Sequence, residues 1–301
     1  MKLTVGTKTD VGRHREANED SFLIQTPLFG VADGMGGHAA GDVASATAVG
    51  VVGQGAQGDG AIDPETLAQL IRDANSEIWR KAQADRKLHG MGTTCTLVMF
   101  EGNRAHLAHV GDSRAYLMRT GQLKQLSEDH TLVARMAREG RIAPEEAQHH
   151  PQRNVITRAL GIDEEVEVDL SSFDLEAGDR IMLCSDGLTS MLEDPDIRTR
   201  LIEISDPQAA AEALVDAANE AGGTDNITVV LIDVAEGDGV TDLSAGSRPA
   251  PPPSPPTDEP RATRADTQPA APPDRGRAST PPPSRDDPSL TGIHRTEDLG
   301  E

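Results

Sequence analysis

Three apolar runs in this chain stop at an aspartate: LFGVADG at Asp33, AHLAHVGD at Asp112 and RIMLCSDG at Asp186. Two more start just after one: DSFLIQ follows from Asp20 and NITVVLIDV follows Asp225. Short apolar runs bounded by turn residues read as β-strands. The turns between them, such as Glu101-Gly102-Asn103 and Thr120-Gly121, carry hairpin chemistry and favour antiparallel pairing over a βαβ repeat. In an antiparallel sheet the end of one strand lies beside the start of the next. A chain with this pattern therefore gathers five aspartates along one rim. Each aspartate alone is explicable as a turn or cap residue; the five together point to a shared acidic site.

Strands are expected over 3–7, 21–25, 28–32, 94–100, 105–110, 114–119, 166–170, 181–184 and 227–234. Helices are expected over 42–53, 64–88, 131–139 and 207–221. Pro64 suits the first turn of its helix, with Asp63 as the cap. The helices fall between groups of strands, which predicts an α+β fold: an antiparallel β-sandwich flanked by helices on both outer faces, αββα. Composition changes near Gly237, and most of the 20 prolines lie after it. The expected organisation is a folded domain over 1–236 and a disordered, acidic, Pro-rich tail over 237–301, unable to bury enough apolar surface to offset ordering entropy. Its last stretch, SLTGIHRTEDLGE, regains some apolar character and could be a short recognition motif.

The formal net charge is −22. Such a surface repels nucleic-acid phosphates and anionic lipids, so neither is expected as a partner. Cys95 and Cys184 lie in apolar runs and read as buried free thiols. The N-terminus lacks the apolar stretch of a signal peptide, and no run of about 18 apolar residues marks a membrane span. The cytoplasm is the expected location, and a monomer the expected state.

Unpaired carboxylates at one rim repel one another, and cations resolve the repulsion. An all-oxygen ligand set suits Mg²⁺, Mn²⁺ or Ca²⁺; no Cys/His pair has zinc-like spacing. Two such ions sharing a carboxylate suit phosphate-ester hydrolysis and reverse the local charge for an anionic substrate.

Ordered motifs then make a resemblance specific: DVGRHREANED over 10–20, VADGMGGHAAGDVAS over 31–45, Gly92-Thr93-Thr94, HVGDSRAYL over 109–117, LSEDHTLV over 126–133, NVITRALG over 154–161, LCSDGL over 183–188 and DNITVV over 225–230. In this order and spacing the chain resembles the PPM (PP2C-like) family of metal-dependent serine/threonine protein phosphatases, in its bacterial form, over about residues 1–235. The resemblance implies hydrolysis of phosphoserine and phosphothreonine in proteins by a metal-bridged water, opposing a Ser/Thr protein kinase, with no covalent intermediate. It implies two Mn²⁺ or Mg²⁺ ions at the core and a third, weaker site. Asp33 would bridge two metals and the Gly34 carbonyl would complete one coordination sphere. Asp186 and Asp225 would hold the other ion, Glu19 and Asp20 would act through metal-bound waters, and Asp112 would serve the third site. Arg15 would grip the substrate phosphate. Some members carry a histidine directly after Asp-Gly; here that residue is Met35, and the proton-donor role passes to His38, with a structural role as its alternative. The segment 129–154 corresponds to the family's variable flap and is expected to influence substrate choice. A catalytically silent phosphoprotein-binding module and a small phosphate-ester hydrolase on the same fold are the alternative readings.

Overall fold

The computed structural model describes residues 1–36, 40–57, 62–147, 150–237 and 242–243. Its strands are β1 (Lys2–Asp10), β2 (Asp20–Gln25), β3 (Leu28–Met35), β4 (Gly92–Thr93), β5 (Cys95–Glu101), β6 (Arg104–Val110), β7 (Arg114–Arg119), β8 (Gln122–Gln125), β9 (Asp169–Asp174), β10 (Arg180–Cys184), β11 (Ile227–Ala235) and β12 (Asp242–Leu243). Its helices are α1 (Gly41–Gly55), α2 (Pro64–Ala84), α3 (Leu132–Arg138), α4 (Pro144–Ala147), α5 (Asp186–Thr189), α6 (Asp194–Glu203) and α7 (Pro207–Glu220). One sheet has the order β12-β1-β11-β10-β7-β8; the other has β2-β3-β5-β6-β9, with β4 attached to β3. Every pairing is antiparallel except β12 on β1.

The strands are continuously apolar because both faces of each sheet are covered. Along β11, Val229 and Leu231 face the α6–α7 layer, whereas Val230 and Ile232 face the opposite sheet. Along β10, Met182 and Cys184 face the helices, and Ile181 and Leu183 the sandwich interior. The second sheet repeats the arrangement: Leu97 and Met99 of β5 pack under α1 and α2, and Val98 and Phe100 fill the sandwich. Successive residues of a strand point to opposite faces, so a sheet between two apolar layers loses its polar alternation. The result is the expected αββα sandwich.

Local signals explain most boundaries. Asp63 accepts from the Thr66 N–H at 2.7 Å, with Pro64 in the first turn of α2. Thr131 caps α3, and Asp206 caps α7. Several expectations shift. The α2 helix ends at Ala84 rather than 88, because Asp85 turns extended and accepts from the Lys87 N–H at 2.9 Å. The last strand of the second sheet is displaced to Asp169–Asp174, where it pairs with β6 from His109 to Arg104. β3 runs to Met35, two residues beyond Asp33, because β4 pairs with Gly34 and Met35. The helix α6 escapes a hydrophobic pattern because only Ile197 and Leu201 of its ten residues are buried.

Among the described residues no helix is long and apolar enough to cross a membrane. β12 carries the chain past the expected 236/237 boundary; the rest of the expected tail, including the 289–301 stretch, lies outside the described residues, as does His149.

Candidate metal centre and active site

Asp20 opens β2, and its register partner on β3 is Asp33. Its carboxylate reaches the other sheet, where Oδ2 accepts from Ser185 Oγ and from Thr228 Oγ1, each at 2.7 Å. Its second oxygen, Oδ1, is buried with no hydrogen-bond partner. Burial pushes this carboxyl up to about 7 against the two hydroxyls, and Asp186 and Asp225 add repulsion.

Asp33 is held through its backbone. Its N–H donates to Thr94 Oγ1 at 2.8 Å, and its carbonyl accepts from Thr93 Oγ1 at 2.8 Å and from the Thr94 N–H at 2.9 Å. Its carboxyl titrates well above the ordinary range, first because it is buried and then because Asp20, Asp186, Asp112 and Asp225 all repel its charge. Asp186, the first residue of α5, is pushed up to about 6 by burial and then by Asp225. Asp112, in the turn after β6, is pushed up to about 8 by burial and then by Asp186 and Asp129; its Oδ1 is a second buried oxygen without a partner. The five aspartates at strand ends in the sequence thus meet on one rim of the sandwich.

Arg15 and Glu19 come from the loop between β1 and β2. Arg15 Nη2 donates to Asp225 Oδ2 at 2.7 Å, and Nη1 lies 3.9 Å from Glu19 Oε2. Burial raises the Glu19 carboxyl above its ordinary value, with Arg15 acting against it. Gly34 is a steric requirement: a Cβ there would lie 2.1 Å from the Gly41 carbonyl oxygen, where β3 presses on the start of α1. Its N–H donates to the Glu19 carbonyl at 3.1 Å. His38 lies outside the described residues.

Sequence reasoning missed the residues that hold these carboxylates. The Asn226 amide donates to the Val11 and Ala17 carbonyls, each at 2.9 Å, and its Oδ1 accepts from the Glu19 N–H at 2.8 Å. It pins the loop that carries Arg15 and Glu19. Ser185 and Thr228 serve Asp20, and Thr94 joins Asp33 to Ser113 through a 2.7 Å hydroxyl contact. All stand inside quoted motifs, which give them no role of their own.

Beside Asp112 and Asp186 opens a cavity of about 790 Å³. One wall is α3, with Val133, Ala134 and Ala137; the other is the run from Thr189 to Asp194.

The residues fit hard divalent cations. The donors are carboxylate and carbonyl oxygens, two carboxylate oxygens are buried and unpaired, and the raised carboxyls mark negative charge in need of a counter-ion. Among the described residues no three His, Cys, Asp or Glu side chains stand already gathered closely enough to hold an ion. Asp225 is turned to Arg15, its Oδ2 accepting from Nη2 at 2.7 Å.

The model of the protein phosphatase 2C family matches residues 13–219. The serine/threonine protein phosphatase PstP of Mycobacterium tuberculosis is 43% identical over 241 residues, which are 79% of this chain and 46% of that protein. The chain thus spans about half the length of that relative. The serine/threonine phosphatase Stp of Listeria monocytogenes is 39% identical over 236 residues, 75% of this chain and 94% of its own length. The crystal structure of the PstP catalytic domain in complex with two manganese ions superposes with a TM-score of 0.72 at 41% identity, covering 78% of this chain and 99% of that one.

Proposed function

This chain belongs to the protein phosphatase 2C family, and from that premise we propose that it hydrolyses phosphoserine and phosphothreonine in proteins with Mn²⁺ or Mg²⁺ bound at the aspartate rim. The observation that carries this reading is the meeting of Asp20, Asp33, Asp112 and Asp186, each desolvated, with the partly exposed Asp225 in one mutually repelling group. The two manganese ions of the PstP catalytic domain support it.

In this reading Asp33 would serve both ions, the Gly34 carbonyl would complete the sphere of one, and Asp186 and Asp225 would hold the other. Glu19 and Asp20 would act through metal-bound waters, and Asp112 would serve a third, weaker position. When bound, the ions would supply an acidified water and positive charge against the phosphoryl oxygens. Arg15 offers a planar fork to two phosphoryl oxygens. Its side chain is half exposed, so it can leave Asp225 for the substrate and free that carboxylate. His38 donates a proton to the departing hydroxyl oxygen. Asn226 keeps Arg15 and Glu19 in place. The cavity between α3 and residues 189–194 receives the peptide flanking the phosphoresidue, which gives the 129–154 segment its part in substrate choice. The catalytic domain is 1–236 together with the β12 residues that pair with β1, and the remainder of 237–301 is an appended tail; the protein works as a cytoplasmic monomer opposite a Ser/Thr kinase.

The test is Mn²⁺-dependent phosphate release from a phosphothreonine peptide, with a small phosphate ester in parallel. Turnover of the peptide that EDTA, Asp33→Asn and Asp186→Asn each abolish is the expected result. A chain inert with both Mn²⁺ and Mg²⁺ overturns the reading, and turnover of the small ester alone replaces it with a small-molecule hydrolase.

A further inference from the structure

His130 grips Gly111 from both sides. Its backbone N–H donates to the Gly111 carbonyl at 2.8 Å, and the Gly111 N–H donates back to its imidazole Nδ1 at 3.0 Å. Gly111 immediately precedes Asp112. It sits at φ +114°, and a Cβ there would lie 2.5 Å from Thr94 Cγ2, so this turn is built on glycine and cannot be stiffened by a side chain of its own.

The same residue closes the neck of the segment that walls the cavity. The His130 carbonyl accepts from the Thr157 N–H at 2.7 Å and from Thr157 Oγ1 at 3.0 Å. The next backbone bond runs from the Leu132 N–H to the Val155 carbonyl at 2.8 Å. Residues 131–157 therefore leave and rejoin the fold at His130.

Hydrogen accounting fixes the ring. A backbone N–H points at Nδ1 and can only donate, so Nδ1 accepts and Nε2 carries the proton. Nε2 then donates to Asp169 Oδ2 at 3.1 Å, while Arg158 Nη1 takes Asp169 Oδ1 at 2.5 Å. Arg158 Nη1, which can only donate, also points at His130 Nε2 at 2.8 Å, so the guanidinium and Asp169 compete for that nitrogen, and the fixed backbone donor at Nδ1 decides it for Asp169. His109 lies against the ring, with centroids 4.9 Å apart and planes tilted by 35°. It is itself fixed by Nε2 donating to the Glu128 carbonyl at 3.0 Å and by Thr96 Oγ1 at 2.9 Å from Nδ1.

We propose that His130 is a positioning residue that locks the Asp112 turn to the base of the 131–157 segment, so that the carboxylate and the cavity wall hold one arrangement together. What this says of turnover rests on the phosphatase reading above; the lock itself does not.

The two ring nitrogens can be separated by substitution. In His130→Asn the amide oxygen stands near the position of Nδ1 and can accept from Gly111, but the bond to Asp169 is lost. In His130→Gln the longer amide reaches toward Asp169 and the Gly111 N–H is left buried and unpaired. Native-state hydrogen exchange at the Gly111 amide is the readout independent of activity. Exchange about tenfold faster or more is expected in His130→Gln and His130→Ala, with protection restored in His130→Asn. Phosphate release from the phosphothreonine peptide should follow the same order, as a fall in kcat of about tenfold with less change in KM. Thermal midpoints of the Asn and Gln variants should be similar, since each loses one bond. Equal exchange and equal kcat in the Asn and Gln variants overturn the proposal and leave His130 as ordinary packing. An inert parent chain with the exchange pattern intact overturns the phosphatase reading and spares the lock.

Discussion

Asp20 and Asp33 stand directly opposite each other in the β2–β3 register, yet they are held by different halves of the molecule. Asp33 is fixed through its backbone by Thr93 and Thr94 of its own sheet, and Asp20 through its carboxylate by Ser185 and Thr228 of the other. Two like-charged groups are thus brought together by hydrogen bonds from both sides of the sandwich. The fold maintains that repulsion at the rim, and this is what prepares the site for cations.

The first prediction concerns pH. The folded-state values of Asp186, Asp20 and Asp112 are raised to about 6, about 7 and about 8, whereas an unfolded aspartate titrates near 3.9. The folded state therefore holds more protons than the unfolded one, and stability falls as pH rises. These contributions are fully present below about pH 4 and are lost progressively up to about pH 8. In EDTA the thermal midpoint should drop as pH is raised from about 5 to about 8. Asp112→Asn should flatten the upper part of the decline, and Mn²⁺ should restore more stability at the upper end, where the carboxylates are ionised. A midpoint that is level or rises across this window would count against a shared carboxylate site.

The second prediction separates two glycines. Gly34→Ala places a methyl 2.1 Å from the Gly41 carbonyl and 2.5 Å from that of Glu19, backbone atoms that cannot yield without moving α1. It should abolish turnover and lower the thermal midpoint. Gly50→Ala, in the middle of α1, meets nothing within 4 Å and should stabilise by about 0.5–1 kcal/mol through helix propensity. Unfolding curves and phosphate release on both variants check the contrast; Gly34→Ala with parental activity would remove the steric account of the motif.

The third concerns the thiols. Cys95 and Cys184 are buried, and burial pushes each up to about 12, so neither supplies a thiolate near neutral pH. Iodoacetamide should leave phosphate release unchanged in the native protein, and both thiols should react with Ellman's reagent only after unfolding. Rapid inactivation by iodoacetamide would reopen cysteine nucleophilic catalysis, which the LCSDG run superficially invites.

Much of the sandwich was legible because burial on both faces leaves β5, β10 and β11 with unbroken apolar runs. The aspartate rim was legible because strand ends are visible in sequence. What escaped was set by tertiary partners. Asp33 lies inside β3 because the two-residue β4, which has no pattern of its own, pairs beyond it. Gln122–Gln125 makes a strand from a polar run because the Thr120-Gly121 turn folds it onto β7; the turn was visible and the strand was not. Asn226 and Ser185 could not be ranked above any other polar neighbour of an aspartate, since their partners lie 207 and 165 residues away.

The last prediction is a stability control remote from the rim. Arg180 begins β10, at the opposite end of that strand from Asp186. Its Nε and Nη2 bind Asp233 at 2.6 and 2.8 Å. Its remaining hydrogens go to the end of α6: Nη1 donates to the carbonyls of Leu201 at 3.0 Å and Ile204 at 2.8 Å, and Nη2 to that of Ser205 at 2.5 Å. One buried guanidinium thus satisfies a carboxylate and the carbonyls that a helix C-terminus leaves open. Arg180→Met removes the charge, leaves Asp233 without its partner and uncovers those carbonyls, and breaking a buried pair in this way costs about 3–5 kcal/mol. For a domain of this size the midpoint should fall by about 2–4 °C per kcal/mol. Arg180→Lys keeps the charge but not the fork and should fall between Met and the parent. Because none of these Arg180 bonds reaches the rim aspartates, kcat per folded molecule should be unchanged in both variants below their midpoints. A loss of kcat without a loss of stability would show that the far end of β10 reaches the site by a route other than these bonds.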